Sequence, residues 1–177
     1  EQMILCGSKS VASYDPASGK RHWIIDGPTE QFVASMVYNS QYAFVTGGYP
    51  ERHILAIRPD GRGNVTETHI AWRATRGAAY VPSPIVVGPY FLVVSDSGIA
   101  SCFNAEDGHR LWMERLGGGH SASSVSANGL VYFVSDKGIT TVLRAGVKFD
   151  VVAKNDLKEL VSSSPAFSQG QLFIRGH

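Results

Sequence analysis

Any chemistry in this chain must come from a sparse set of reactive side chains. Six histidines, His22, His53, His69, His109, His120 and His177, show no His-x-x-x-His spacing of the kind that holds zinc on one helix face. Cys6 and Cys102 are the only cysteines. Each is flanked by apolar or small residues, so they read as buried reduced thiols rather than a disulfide. Asp15, Asp96, Asp136 and Glu106 fall mostly at turn positions, where a carboxylate first serves its own backbone. No loop gathers the converging oxygen ligands of a hard cation. Gly117–Gly119 lacks the Lys-Ser/Thr of a phosphate loop, and the serines around 121–126 and 162–164 stand outside any Gly-x-Ser-x-Gly elbow. Asn64-Val65-Thr66 fits a glycosylation sequon, a pattern that matters only in a glycosylating secretory pathway. No catalytic, metal or cofactor-binding residue is assigned.

Composition narrows the classes further. Sixteen basic and fifteen acidic side chains leave a net charge of +1. That balance, without a like-charge run, points away from nucleic acid and from a polybasic membrane patch. The 44% apolar fraction is that of an ordinary globular chain, and no apolar run is long enough to span a membrane. Glu1 stands directly before the apolar Met3-Ile4-Leu5, with no signal peptide in view, as expected of a piece of a longer protein.

The organising feature is an internal repeat. Ser83 to Gly98 aligns without a gap on Ser123 to Gly138, 40 residues on. Ser164-Pro165 continues the series 41 residues later, and Ser35-Met36 begins it 48 residues before Ser83. The eight extra residues of the first interval fall in two stretches expected to be loops, 48–52 and 59–64. Each unit reads as four short strands. In the third unit the last three are Tyr90–Val94, Ile99–Phe103 and Arg110–Glu114, preceded by a first strand at Ser83-Pro84. The runs are apolar on both sides of the pleat, so both faces of each sheet should be covered. Asp156–Leu160, the one helix-like stretch, is too short to stand as a helix. Four strands in about 40 residues is the size of a β-propeller blade. The expected fold is therefore all-β, with blades at 33–79, 80–119 and 120–160 and partial blades at 1–32 and 161–177.

Ser13-x-Asp15-x-x-x-Gly19-Lys20-x-x-Trp23 resembles the tryptophan-docking motif of PQQ-type (quinoprotein-like) propellers. Cys102-x-Asn104-x-x-x-Gly108-x-x-x-Trp112 is a second copy, and Ala56 and Trp72 form a third around a lengthened loop. The fourth unit departs, with a shortened Arg144–Phe149 that places Phe where Trp is expected. The resemblance implies that Trp23, Trp72 and Trp112 hold neighbouring blades together within a seven- or eight-bladed ring. It raises the question of pyrroloquinoline quinone, yet the vicinal Cys-Cys and acidic cluster of quinoprotein dehydrogenases are missing, so no cofactor is expected. It also implies a bacterial, periplasmic or otherwise extracytoplasmic setting.

The function expected is a non-catalytic binding or assembly scaffold, taking a protein or peptide partner through blade edges or channel-mouth loops. The alternative is a fragment of a quinoprotein oxidoreductase. Arg76, Tyr80 and His120 precede the first strand of successive blades and are the candidate partner-binding rim, with His120 expected to be a solvated loop residue. An isolated run of about four blades would leave apolar faces and strand edges in water, so self-association of half-propellers is a further expectation.

Overall fold

A computed structural model describes residues 1–27 and 29–177, and every element it contains is a strand. The chain opens with β1 (Met3–Gly7), β2 (Ser10–Tyr14) and β3 (Arg21–Asp26), paired antiparallel in that order. β4 (Val37–Tyr38), β5 (Ala43–Gly47) and β6 (His53–Ile57) begin the second blade. The chain then leaves it for β7 (Gly63–Asn64) and returns for β8 (Ile70–Ala74). The third blade is β9 (Ile85–Val87), β10 (Tyr90–Val94), β11 (Ile99–Asn104) and β12 (Arg110–Arg115). The fourth is β13 (Val125–Ala127), β14 (Leu130–Val134), β15 (Ile139–Arg144) and β16 (Asp150–Asp156). The hairpin of β17 (Ala166–Ser168) and β18 (Gln171–Phe173) ends the chain.

Alternation along each strand explains the doubly apolar runs. Phe91 and Val93 of β10 join Phe44, Ile54 and Trp72 in the core between the second and third blades. Leu92 and Val94, pointing the other way, join Val131, Phe133 and Leu143 in the core between the third and fourth. A strand sandwiched this way has no polar face to spare. The turn from β13 to β14 is Asn128-Gly129, both at positive φ (51° and 74°), which suits the twist of a two-residue hairpin.

The tryptophans act through backbone acceptors of the following blade. Trp23 Nε1–H donates to the Pro59 carbonyl, Trp72 to Ala105 and Trp112 to Gly146, each at 3.0 Å. The acceptors all lie in the turn between the third and fourth strands of the next blade, and the rings are buried. The motif's small first residue sits directly across the sheet from the indole: Ser13 pairs with Trp23, Ala56 with Trp72 and Cys102 with Trp112. A register shift follows each of those small residues. Gly108 has φ +74°, and a Cβ there would lie 2.5 Å from the Trp72 ring, so glycine serves both the turn and the indole above it. Asp15 Oδ1 accepts the Ala17 and Ser18 N–H groups, which hold its carboxyl below the usual range, and Asn104 Oδ1 accepts that of Glu106.

Two expectations need correction. The 59–64 stretch is more than a loop, because β7 pairs parallel to β3 and gives the first sheet an added outer strand. Asn64 Nδ2 donates to Asp26 at 2.7 Å and the Thr66 hydroxyl accepts the Asp26 N–H at 2.9 Å, fastening this strap. Phe149 does not occupy the tryptophan position either. The residue opposite Val142, the counterpart of Cys102, is Ala153. Phe149 instead meets Trp112 edge to face at 5.3 Å, from the place that Gly108 holds beneath Trp72.

Candidate partner-binding rim

At one end of each blade, the turn between the second and third strands meets the loop that enters the innermost strand. Ser95 and Ser135 make those turns, their hydroxyls accepting the N–H of Ile99 and Ile139 at 3.1 Å. The adjoining aspartates are therefore free for other work. Asp96 accepts the N–H groups of Tyr80 and Val81, each at 3.0 Å. Asp136 accepts that of Ser121 at 2.8 Å. Both carboxylates thus pin the loop before the first strand of their own blade, rather than closing the turn they stand in.

A second set of bonds ties blade to blade along the innermost strands. The Ser35 N–H donates to Ser83 Oγ at 2.9 Å, Ser83 to Ser123 at 3.1 Å and Ser123 to Ser164 at 2.9 Å. These are the four serines that set the repeat register in the sequence. Their hydroxyls form a ladder that holds the rim loops at a common level.

The three candidate residues have different surroundings. Arg76 is exposed, two residues beyond β8. Tyr80 is half-buried, its hydroxyl donating to Gln31 at 2.5 Å, and Gly48 lies so close beneath it that a Cβ would overlap the ring. The Thr46 hydroxyl donates to the Ala79 carbonyl at 2.9 Å and accepts the Ala79 N–H at 3.2 Å, so the Tyr80 loop is held from both blades. His120 is not solvated: it is 2% exposed, and Nδ1 is buried without a partner in hydrogen-bonding geometry. Burial pushes its imidazole below the usual range, opposed by the Asp136 carboxylate and the Gly118 carbonyl. It lines a cleft of about 230 Å³ between the third and fourth blades with Leu116, Ser135, Lys137 and Thr141. Three glycines before a lone histidine suggest a solvated loop, but the backbone N–H of His120 is bonded to the Asp96 carbonyl of the preceding blade at 3.0 Å. Sequence reasoning had also passed over Asp96, Asp136 and the serines as site-builders. The gapless alignment of Ser83 and Asp96 on Ser123 and Asp136 was the available signal.

His53 is a second buried imidazole, in the second blade near Thr29 and Gly47. Burial lowers its pKa, and Arg73 adds to that. The thiols of Cys6 and Cys102 are free, and burial raises them to about 11 and about 12, which keeps both protonated and unreactive. Among the described residues no three of His, Cys, Asp and Glu gather as a metal-holding group, and no helix is long and apolar enough to cross a membrane. Among the described residues Asp96 and Asp136 accept rim-loop N–H groups, and neither stands in a group of three possible metal ligands.

Four-stranded antiparallel sheets stacked face to face, locked by indoles and laced at their inner edges, define a β-propeller repeat protein. The sequence profile described as outer membrane protein assembly factor BamB matches residues 7–177, and the chain belongs to that family of PQQ-like repeats. Among solved structures it is similar to the crystal structure of BamB from Moraxella catarrhalis, with a TM-score of 0.51 and 14% identity. That likeness covers 99% of this chain and 64% of the BamB chain, so it shows the fold. No curated protein matches.

Proposed function

We propose that this chain is part of a non-catalytic β-propeller scaffold of the bacterial envelope that binds a protein or peptide partner at the rim of Arg76, Tyr80 and His120. The observation that carries the reading is the double anchoring of the loops before the first strands, by aspartate within the blade and by backbone bonds between blades. Anchored loops lose little entropy on docking, which favours recognition by a preformed surface. Arg76 and the edge of Tyr80 supply the contact, and buried His120 sets the height of its loop. Membership of a family described as an outer membrane assembly factor supports an extracytoplasmic setting.

A photo-crosslinking residue at position 76, with a second at Glu106 on the opposite end of the sheet, tests this in envelope extract. A discrete adduct from position 76 alone supports the reading. Adducts of equal yield from both positions, or none from position 76, would count against it.

A further inference from the structure

Three side chains around the cleft beside His120 change between the third and fourth blades. At an offset of 40 residues, His120 stands for Tyr80, Lys137 for Ser97 and Thr141 for Ser101. The loop changes too, with Gly118 and Gly119 in place of the buried Ala78 and Ala79. In the third blade the loop lies on β11, where a Cβ on Gly77 would stand 2.5 Å from Ser101 Oγ. A Cβ on the matching Gly117 would meet nothing within 4 Å. The loop of the fourth blade therefore stands clear of β15, and the cleft of about 230 Å³ opens there.

The groups gathered at this cleft are short of an acceptor. Ser95 Oγ shares a bond with Ser97 at 3.2 Å, whereas Ser135 has Lys137 in that place. The Ser135 oxygen accepts the Ile139 N–H, which leaves its proton to donate elsewhere. Lys137 is exposed and forms no ion pair among the described residues. His120 is 2% exposed with Nδ1 unpartnered, a state that costs free energy until something enters to bond it. Lys154 stands opposite Thr141, where Met113 stands opposite Ser101. The neighbouring carboxylates are engaged, Asp136 with the Ser121 N–H and Asp156 with that of Lys158.

We propose that this cleft takes a carboxylate side chain of the protein or peptide partner. The Lys137 ammonium and the Ser135 and Thr141 hydroxyls donate to it, and the His120 imidazole completes the set. Leu116, on the same wall, keeps water from the ion pair and so strengthens it. The identity of the occupant rests on the rim reading, whereas the chemistry of the cleft stands without it.

The test is a titration of the full chain with N-acetylglutamate N-methylamide, followed by nuclear magnetic resonance, with the glutamine analogue as the uncharged control. Saturable shifts at Gly117–His120 and Thr141 with the glutamate compound, and none with the glutamine compound, are expected. Lys137→Gln, at an exposed position, and Thr141→Val, which keeps the side chain's shape, should each weaken binding about fivefold, the worth of one hydrogen bond. No saturable shift at millimolar ligand would overturn the proposal. So would equal binding of the glutamine compound, or unchanged affinity in both variants. Any of these leaves a crosslink from position 76 standing, and so counts against the cleft alone. A cleft that bound the glutamate compound while position 76 gave no adduct would overturn the partner as its occupant.

Discussion

The third and fourth blades are alike from the innermost strand to the third and differ beyond it. From Ser83 to Gly98 and from Ser123 to Gly138 they align without a gap, and both keep the serine ladder, the serine turn and the aspartate that holds the rim loop. Past the third strand, the third blade has Asn104, Gly108 and Trp112, whereas the fourth has a rebuilt turn, Phe149 and Ala153. Yet the bond from the preceding blade survives, since Trp112 reaches Gly146 at the 3.0 Å with which Trp72 reaches Ala105. A backbone carbonyl is an acceptor that any residue supplies. The lock therefore constrains the path of the receiving turn more than its side chains, and only the donor must be Trp.

The largest effect should come from removing a donor. Trp72 lies among Phe44, Phe91 and Phe103, and Trp72→Ala should cost about 4 kcal/mol in chemical denaturation. Trp112→Ala, facing the rebuilt turn and Phe149, should cost nearer to about 3 kcal/mol. A cost within experimental error of zero for either would break the comparison, because it would mean that the indole bond joins blades that hold without it.

Glycine substitutions sharpen it. Gly108 and Gly19 share a left-handed conformation (φ +74° and +70°), but only Gly108 has an indole above it. Gly108→Ala should cost about 2–3 kcal/mol, through backbone strain and overlap with Trp72. Gly19→Ala, with nothing within 4 Å, should cost about 1 kcal/mol from strain alone. Equal thermal shifts for the two would leave the indole contact without energetic weight.

The rim clamps come next. Asp96 accepts two loop N–H groups and Asp136 one. Asp96→Ala should cost about 2 kcal/mol and Asp136→Ala about 1 kcal/mol. The reverse order would show that Asp136 is held by something other than the Ser121 bond.

The smallest difference is in pH dependence. His120 occupies in the fourth blade the loop position of Tyr80 in the third, and burial lowers its pKa. Below the unfolded value of about 6.5, the unfolded chain takes up a proton that folded His120 refuses. Stability should thus fall as pH drops through about 6.5 and level off below the folded pKa, with His53 contributing in the same direction. His120→Tyr, which writes the third blade's residue into the fourth, should flatten part of that slope in thermal scans. An unchanged slope would mean that His120 takes up its proton in the folded chain as readily as in the unfolded one.

Much of the fold was legible in the sequence because periodicity reports local geometry. Tyr90–Val94 and Leu130–Val134 were bounded by Gly, Ser and Asp, and both strands have those limits. What was not legible depended on partners distant in the chain. Residues 59–64 looked like an insertion because their pairing partner, Trp23 and Ile24, lies in another repeat. Phe149 looked like a substituted Trp because the connection from Val142 to its partner is one residue longer than that from Cys102 to Trp112, which sets Ala153 in that place. His120 looked exposed because three glycines precede it, whereas its loop is bonded to the neighbouring blade and its side chain is buried.

Three indole bonds each join one blade to the next. Proton–deuterium exchange of the indole N–H groups, followed by nuclear magnetic resonance on the intact chain, reads them directly. Trp23, Trp72 and Trp112 should give three resolved signals, all exchanging far more slowly than a solvent-exposed indole, because each donates to a carbonyl across a blade boundary. Rapid exchange of any of the three under native conditions would contradict the blade-to-blade lock.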